Sequence, residues 1–511
     1  MGWGRPLVVA DPRRERPDGD VSDRDVLGRE IHTTTQGFNG ALIYRTTAYD
    51  TLGRVSQTSV PYYNGETPRY TVNEYDALNR VKKLTAPGNR VTTTVYSGLT
   101  TTITEPLNHA TVTTKDSEGH VIETVDAVSA RTRSSYDAFG NLVQITDPAG
   151  NLAAMRYDRL GRRIETNDLD RGKWTYTYDV LGELKTQTDA KGQIITLSYD
   201  LLGRLLTRTL PGLAGTGAWV YGAAVPEIGK LKSVSNPNVT ETYTYDNLGR
   251  LGSTTTTLAD NSTYTTRNTY DAYSRLDTLI YPSTQFTLKH IYDAYGHLAE
   301  LRRDNAQGAL YWKANSQDAR QRLTSETVGN GHTTTHAYDP LTGDLQTILT
   351  GPNADGTVQN LSYRFDAIGN LSQRTDYNQT GLTETFGYDA VNRLTSVTGP
   401  ASKTYAYAPD DNLTYKSDVG TYSYTGCARA HAVCSIAGAV NTSFGYDANG
   451  NMTSGNGLAT TYTAFNKPAT AIKGSQSVNF TYDAQFNRIM KATVTSTGIT
   501  TSTLYIGKHY E

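Results

Sequence analysis

The side chains with chemical potential in this chain are aspartates at a fixed spacing, a cysteine pair and a few histidines. Aspartate recurs directly after tyrosine, and Tyr136-Asp137, Tyr157-Asp158, Tyr178-Asp179 and Tyr199-Asp200 stand 21 residues apart. A repeated carboxylate could serve acid–base chemistry or calcium binding. Calcium loops gather several carboxylates within about a dozen residues, whereas each phrase here holds one, with Arg or Asn close by. A structural cap is therefore the better reading of these aspartates. Cys427 and Cys434 lie in GCARAHAVCS. They could close a disulfide or, with His431, supply half a metal site, but the plainer alternative is two small half-buried residues. Asp147-Pro148-Ala149-Gly150 spells an Asp-Pro-x-Gly motif, yet it falls at an ordinary turn between copies, and Asp339-Pro340 lacks the glycine. His332 and His336 are four apart, which pairs ligands on a helix, but their Thr-rich surroundings read as strand. No phosphate loop, HExxH or G-x-S-x-G occurs, so no catalytic residue, metal ligand or cofactor-binding residue is assigned and the chain is read as no enzyme.

The elements that position these groups are repeats. The phrases YDAFGNL, YDRLGRR, YDVLGEL and YDLLGRL share one pattern, and a fixed period means one supersecondary unit copied along the chain. Further copies start at Tyr49, Tyr75, Tyr245, Tyr270, Tyr292, Tyr338, Phe365, Tyr388, Tyr446 and Tyr482. Before most of them aromatic residues alternate with Thr, Gly or Arg, as in Trp174-Thr175-Tyr176-Thr177-Tyr178. Period two puts the rings on one face of a strand, where stacked copies would form an aromatic column. If exposed, such rings could be sugar platforms; burial between strands is the favoured reading.

Each turn has a readable chemistry. The aspartates Asp137, Asp158, Asp179, Asp200, Asp246 and Asp389 can accept turn amides as in an Asx-turn. The glycines Gly140, Gly161, Gly182, Gly203 and Gly249 are expected at positive φ, where Asn79 and Asn392 replace glycine acceptably. Ser274 fits that place less well, so its turn is expected to differ. The tyrosines Tyr136, Tyr157, Tyr178, Tyr199, Tyr245 and Tyr388 complete the structural set.

Composition agrees with a β array. The 511 residues include 36 Tyr, 46 Gly and only 2 Cys, and 37% are hydrophobic, which suits one sheet around a wide space better than a thick core. The net charge of −2 argues against a nucleic-acid partner. No apolar run reaches the roughly 18 residues of a membrane helix. The segment 1–22 is expected to be poorly ordered, with 23–511 as one continuous array. Its only apolar stretch, Leu7–Ala10, is too short for a signal peptide. The expectation is export by another route, or a chain that starts partway through a longer one.

On the YDxxGR phrase, the period near 21 and the aromatic alternation, the chain resembles the Rhs/YD-repeat family. That family comprises bacterial Rhs toxins, C components of insecticidal ABC toxins, wall-associated repeat proteins and teneurins. Phrases such as Gly329-Asn330-Gly331, Glu384-Thr385-Phe386, His431-Ala432-Val433 and Tyr505-Ile506-Gly507-Lys508 resemble its large bacterial members. The resemblance implies an all-β spiral of hairpins forming part of a hollow shell. In toxin members the shell encloses a C-terminal effector released by paired aspartates, and no such segment is found before Glu511. The functional expectation is a non-catalytic shell segment of a secreted or cell-surface protein, enclosing or presenting a downstream effector polypeptide. The alternative is a wall-associated module that binds carbohydrate or another cell.

Overall fold

The computed structural model describes residues 21–212, 215–282, 286–427 and 429–507. Strand makes up 56% of the chain and helix 1%, so the fold is all-β. Of the segment 1–22, residues 1–20 lie outside the described residues, and the first strand is already Val21–Arg24. Lys508, in the last of the family-like phrases, also lies outside them.

The alternation read from sequence builds the strands. In Gly172–Tyr178, Trp174, Tyr176 and Tyr178 share a face, with Trp174 buried. Strands pair antiparallel with their sequence neighbours: Leu152–Tyr157 with Arg163–Asp168, that strand with Gly172–Tyr178, and so on to Leu184–Thr188. Such a meander needs only short loops. Threonine hydroxyls bond across it, Thr177 to Thr186 at 2.6 Å, Thr269 to Thr278 at 2.6 Å and Thr461 to Thr470 at 2.7 Å, which accounts for the abundance of Thr.

One irregularity recurs at every phrase. Ser135 pairs with Gln144 but Tyr136 pairs with Leu142, and the same slip occurs at Tyr157, Tyr178 and Tyr199. It is a β-bulge, which adds twist and re-aims the tyrosine before the turn.

The chain divides into two compact units, one of Met1–Gly119, Thr124–Ser129 and Leu288–Thr404, the other of His120–Glu123, Ala130–Thr287 and Tyr405–Glu511. Within each, an earlier and a later stretch of sheet meet edge to edge. In the first unit the Asn39 amide donates to Asp293 Oδ2 at 2.9 Å, Tyr63 Oη donates to the Gln317 carbonyl at 2.9 Å, and Arg90 pairs with Asp344. Each of these partners lies 254 residues on, about 12 copies of the 21-residue unit. In the second unit Lys191 meets Asp447 at 3.3 Å and Asn449 Nδ2 donates to Asp189 Oδ2 at 2.6 Å, across 256 and 260 residues. In both, turns of the Tyr-Asp type on the later stretch abut the turns between copies on the earlier one. Gly450 shows how close the approach is, since a Cβ there would overlap the Asp170 carbonyl. Apolar burial is modest and local. Trp219, Val234 and Ala484 form one cluster of the second unit, with Leu205, Tyr221, Leu231 and Tyr243 against it.

Candidate functional site

The recurrent site is the turn after each tyrosine. Asp50 Oδ1 accepts the amides of Leu52 and Arg54, each at 2.9 Å, and Asp50 Oδ2 accepts Arg54 Nε at 2.7 Å. The Gly53 amide closes the turn onto the Asp50 carbonyl at 3.0 Å. The same set recurs at Asp76, Asp158, Asp200, Asp246, Asp271 and Asp389. Where Asn replaces Arg, its side-chain amide takes over, as from Asn141 to Asp137 Oδ2 at 3.0 Å. The Arg54 amide, its guanidinium and the Leu52 amide hold Asp50 below the ordinary 3.8, against the opposing effect of desolvation. At Asp200 the Arg204 side chain leads the same depression. A carboxylate engaged by so many donors has no proton to give near neutral pH and no free lone pairs for a cation. These aspartates hold turns.

Glycine geometry follows. Gly140, Gly161, Gly182, Gly203 and Gly249 have φ of 79°, 74°, 90°, 75° and 73°, with Asn79 at 64° and Asn392 at 68°. Ser274 is a correction: its φ is 65° and its amide closes onto the Asp271 carbonyl at 3.0 Å, as in the other turns. Arg250 Nη1 donates to Ser274 Oγ at 3.0 Å from 24 residues upstream, a contact that compensates the left-handed serine.

The arginine of the phrase is the residue that sequence reading missed. Beyond its own aspartate, it reaches the next copy. Arg54 lies 4.4 Å over Tyr75, Arg80 4.0 Å over Tyr96, Arg204 4.2 Å over Tyr221, Arg250 4.5 Å over Tyr270 and Arg322 3.7 Å over Tyr338. The tyrosine hydroxyl donates to a main-chain carbonyl of the preceding copy: Tyr178 to Arg163 at 2.8 Å, Tyr199 to Leu184 at 3.0 Å, Tyr245 to Leu231 at 2.7 Å and Tyr388 to Leu371 at 2.9 Å. Copies are thus joined by cation–π contacts and hydroxyl links, and Tyr136, Tyr157, Tyr178 and Tyr199 do not stack on one another as the expected column would. The signal was present in the sequence as the arginine five residues after tyrosine. In YDVLGEL, Glu183 stands in that place, and desolvation and the neighbouring Asp179 raise its pKa.

Cys427 and Cys434 form a disulfide, so neither is a metal ligand. His336 sits in the strand His332–Tyr338 and stacks on Tyr338. Asp147 caps its own turn, accepting the Asn151 amide at 2.7 Å and Asn151 Nδ2 at 2.6 Å. Asp339 likewise accepts the amides of Leu341 and Thr342, at 2.8 and 2.7 Å. A cavity of about 680 Å³ in the second unit is lined by Trp174, Tyr176, Phe465, Phe486, Arg171 and Arg208 among others. Guanidinium groups lie over its rings, Arg171 at 5.1 Å from Trp174 and Arg208 at 4.2 Å from Phe486, so these faces are not the bare platforms on which sugars stack.

The RHS repeat family matches residues 116–152, 136–173 and 178–212, and the teneurin YD-shell family matches residues 353–506. Those stretches carry RHS and YD-shell repeats. A search of curated proteins returned no match for it. Solved structures similar to this YD-repeat chain include the TcdB2–TccC3 complex, at a TM-score of 0.81 and 18% identity, with 95% of this chain and 31% of that one covered. The Tc holotoxin pore of Photorhabdus luminescens with a TccC3 substitution gives 0.77 and 18%, covering 98% and 31%. TcdB2–TccC3 without its hypervariable C-terminal region gives 0.79 and 18%, covering 93% and 30%. The YD-repeat chain therefore spans less than a third of the length of these structures. The likeness is one of fold. No helix among the described residues is long and apolar enough to cross a membrane.

Proposed function

We propose that this chain is a non-catalytic wall segment of a larger, polymorphic-toxin-like protein, secreted or displayed at the cell surface, which encloses or presents a polypeptide encoded downstream. The observation that carries this reading is the seam in each unit. Tyr-Asp turns of the later stretch seat on the turns between copies of the earlier stretch, so the recurring residues are spent on building sheet onto sheet. The TcdB2–TccC3 neighbour exists with and without a hypervariable C-terminal region, which supports a wall separable from its variable part.

The Tyr-Asp turns of the earlier stretch, away from the seam, favour a further partner of the same kind. In the second unit Asn449, two residues after its turn aspartate, is covered at the seam and only 5% exposed. On the earlier stretch the corresponding tips are large and apolar, with Leu160 76%, Leu181 72% and Leu202 78% exposed. Large exposed apolar tips repeated once per copy favour an interaction site. The partner that fits them is the between-copy turn edge of another YD-repeat sheet, since that edge covers the equivalent Asn449 tip within this unit.

The test is co-expression of this chain with the polypeptide encoded directly after it, followed by limited proteolysis. A cargo that co-purifies and resists protease, while the free cargo is degraded, supports enclosure. Equal cleavage rates with and without the chain would refute it.

A further inference from the structure

The disulfide loop Cys427–Cys434 presents His431 to three carboxylates from elsewhere in the same unit. Asp170 accepts both the His431 amide at 2.8 Å and His431 Nδ1 at 2.6 Å. The other ring nitrogen, Nε2, then faces Asp147 Oδ2 at 2.9 Å. A carboxylate oxygen of Asp410 completes a set with His431 and Asp147 whose ligand atoms all lie within 4.8 Å of one another. Asp147 is braced by Asn151 and Asp410 by Asn412 Nδ2 at 2.8 Å, so both carboxylates are held in place.

Charge points to a cation. Among the described residues no Lys or Arg forms an ion pair with Asp147, Asp170 or Asp410. Neighbouring cations are turned elsewhere: Arg429 donates to the carbonyls of Leu169 and Asp447, at 3.3 and 2.7 Å, Lys191 pairs with the Asp447 carboxylate, and Arg171 lies over the Trp174 ring. The side chains of Asp147 and Asp170 are only 19% and 30% exposed. The three carboxylates carry three negative charges with no Lys or Arg paired to them, and one divalent cation balances two of these.

We propose that His431 Nε2, Asp147 and Asp410 form a site for a zinc-class divalent cation, with Asp170 orienting the imidazole. Imidazole and carboxylate donors suit zinc. A carboxylate on the far nitrogen of a ligating histidine is the outer contact that fixes tautomer and ring angle. Ligand atoms around tetrahedral zinc stand about 3.3 Å apart at bond lengths near 2.0 Å, so the 2.9 Å between Nε2 and Oδ2 opens by a small side-chain rotation. Binding displaces the Nε2 proton and releases it to solvent. The cation ties the disulfide loop to a turn 284 residues earlier in the chain. The cysteines close the loop and take no part in ligation.

Calorimetric titration of the chelator-treated full chain with zinc chloride tests this. Wild type is expected to show one saturable site that His431→Gln loses. Asp170→Asn is expected to weaken that site about 10–100-fold, the usual effect of an outer contact. Asp410→Asn is the discriminating variant, because it leaves the hydrogen bonds of His431 to Asp147 and Asp170 intact, and circular dichroism confirms its fold. At least tenfold weaker zinc binding by Asp410→Asn supports the site. Unchanged binding by Asp410→Asn, equal stoichiometry in wild type and His431→Gln, or no zinc uptake by wild type would each overturn it.

Discussion

At the scale of residues, the Tyr-Asp phrase works because each side chain has one local task. Gly161 has φ of 74°, and a Cβ at that position would meet nothing closer than Asn141 Oδ1 at 3.6 Å, so conformation and not space excludes larger residues. Gly161→Val is expected to cost about 1–2 kcal/mol by denaturant titration, with Gly161→Asn milder. Turn aspartates such as Asp50, Asp76, Asp158, Asp200 and Asp246 have folded pKa values below their ordinary 3.8. Their contribution is therefore complete above the unfolded value and is lost as pH falls through the folded ones. A thermal midpoint that declines below about pH 4 is expected, and a flat profile down to pH 2 would exclude this role. Tyrosine, aspartate and glycine were legible in the sequence because turn chemistry is local. Ser274 was misread because its compensation comes from Arg250 in the previous copy, and Phe486, at φ 69°, holds the glycine place through stacking on Phe465 at 3.9 Å. Neither contact is visible within one phrase.

At the scale of elements, the arginine turns a row of hairpins into a coupled array. Arg322 makes the tightest link, with Nε and Nη2 on Asp318 Oδ2 at 2.9 and 2.6 Å, Nη1 on the Gly343 carbonyl at 2.5 Å and its plane over Tyr338. Arg322→Lys keeps the charge but loses the flat stack and the forked donors, and a loss of about 1 kcal/mol by chemical denaturation is expected. The reverse change is available in the copy with glutamate in the arginine's place. Glu183→Arg replaces a like-charged neighbour of Asp179 with its usual partner and is expected to raise the thermal midpoint. A lower midpoint would mean that the glutamate has a use of its own. Strand existence, period and turn position were all legible at this scale. The inter-copy link was not, because a guanidinium over the next tyrosine appears only once successive hairpins are registered side by side.

At the scale of the whole molecule, the apolar tips at Leu160, Leu181 and Leu202 separate stability from association. Replacing all three by Lys touches exposed positions, so stability should change by no more than about 0.5 kcal/mol per site, while sedimentation should report less self-association. Unchanged self-association would remove the tips as a contact surface. The seams within each unit could not be read from sequence, because nothing local specifies which turn meets which across 254 residues. That separation also sets a schedule. Each hairpin can form against its predecessor as the chain emerges, but Asn39 waits for Asp293. At synthesis rates of about 5–20 residues per second, the wait is roughly 13–50 s. For that interval the earlier edge of the sheet is complete and uncovered, so the nascent protein must be guarded in time as well as in space.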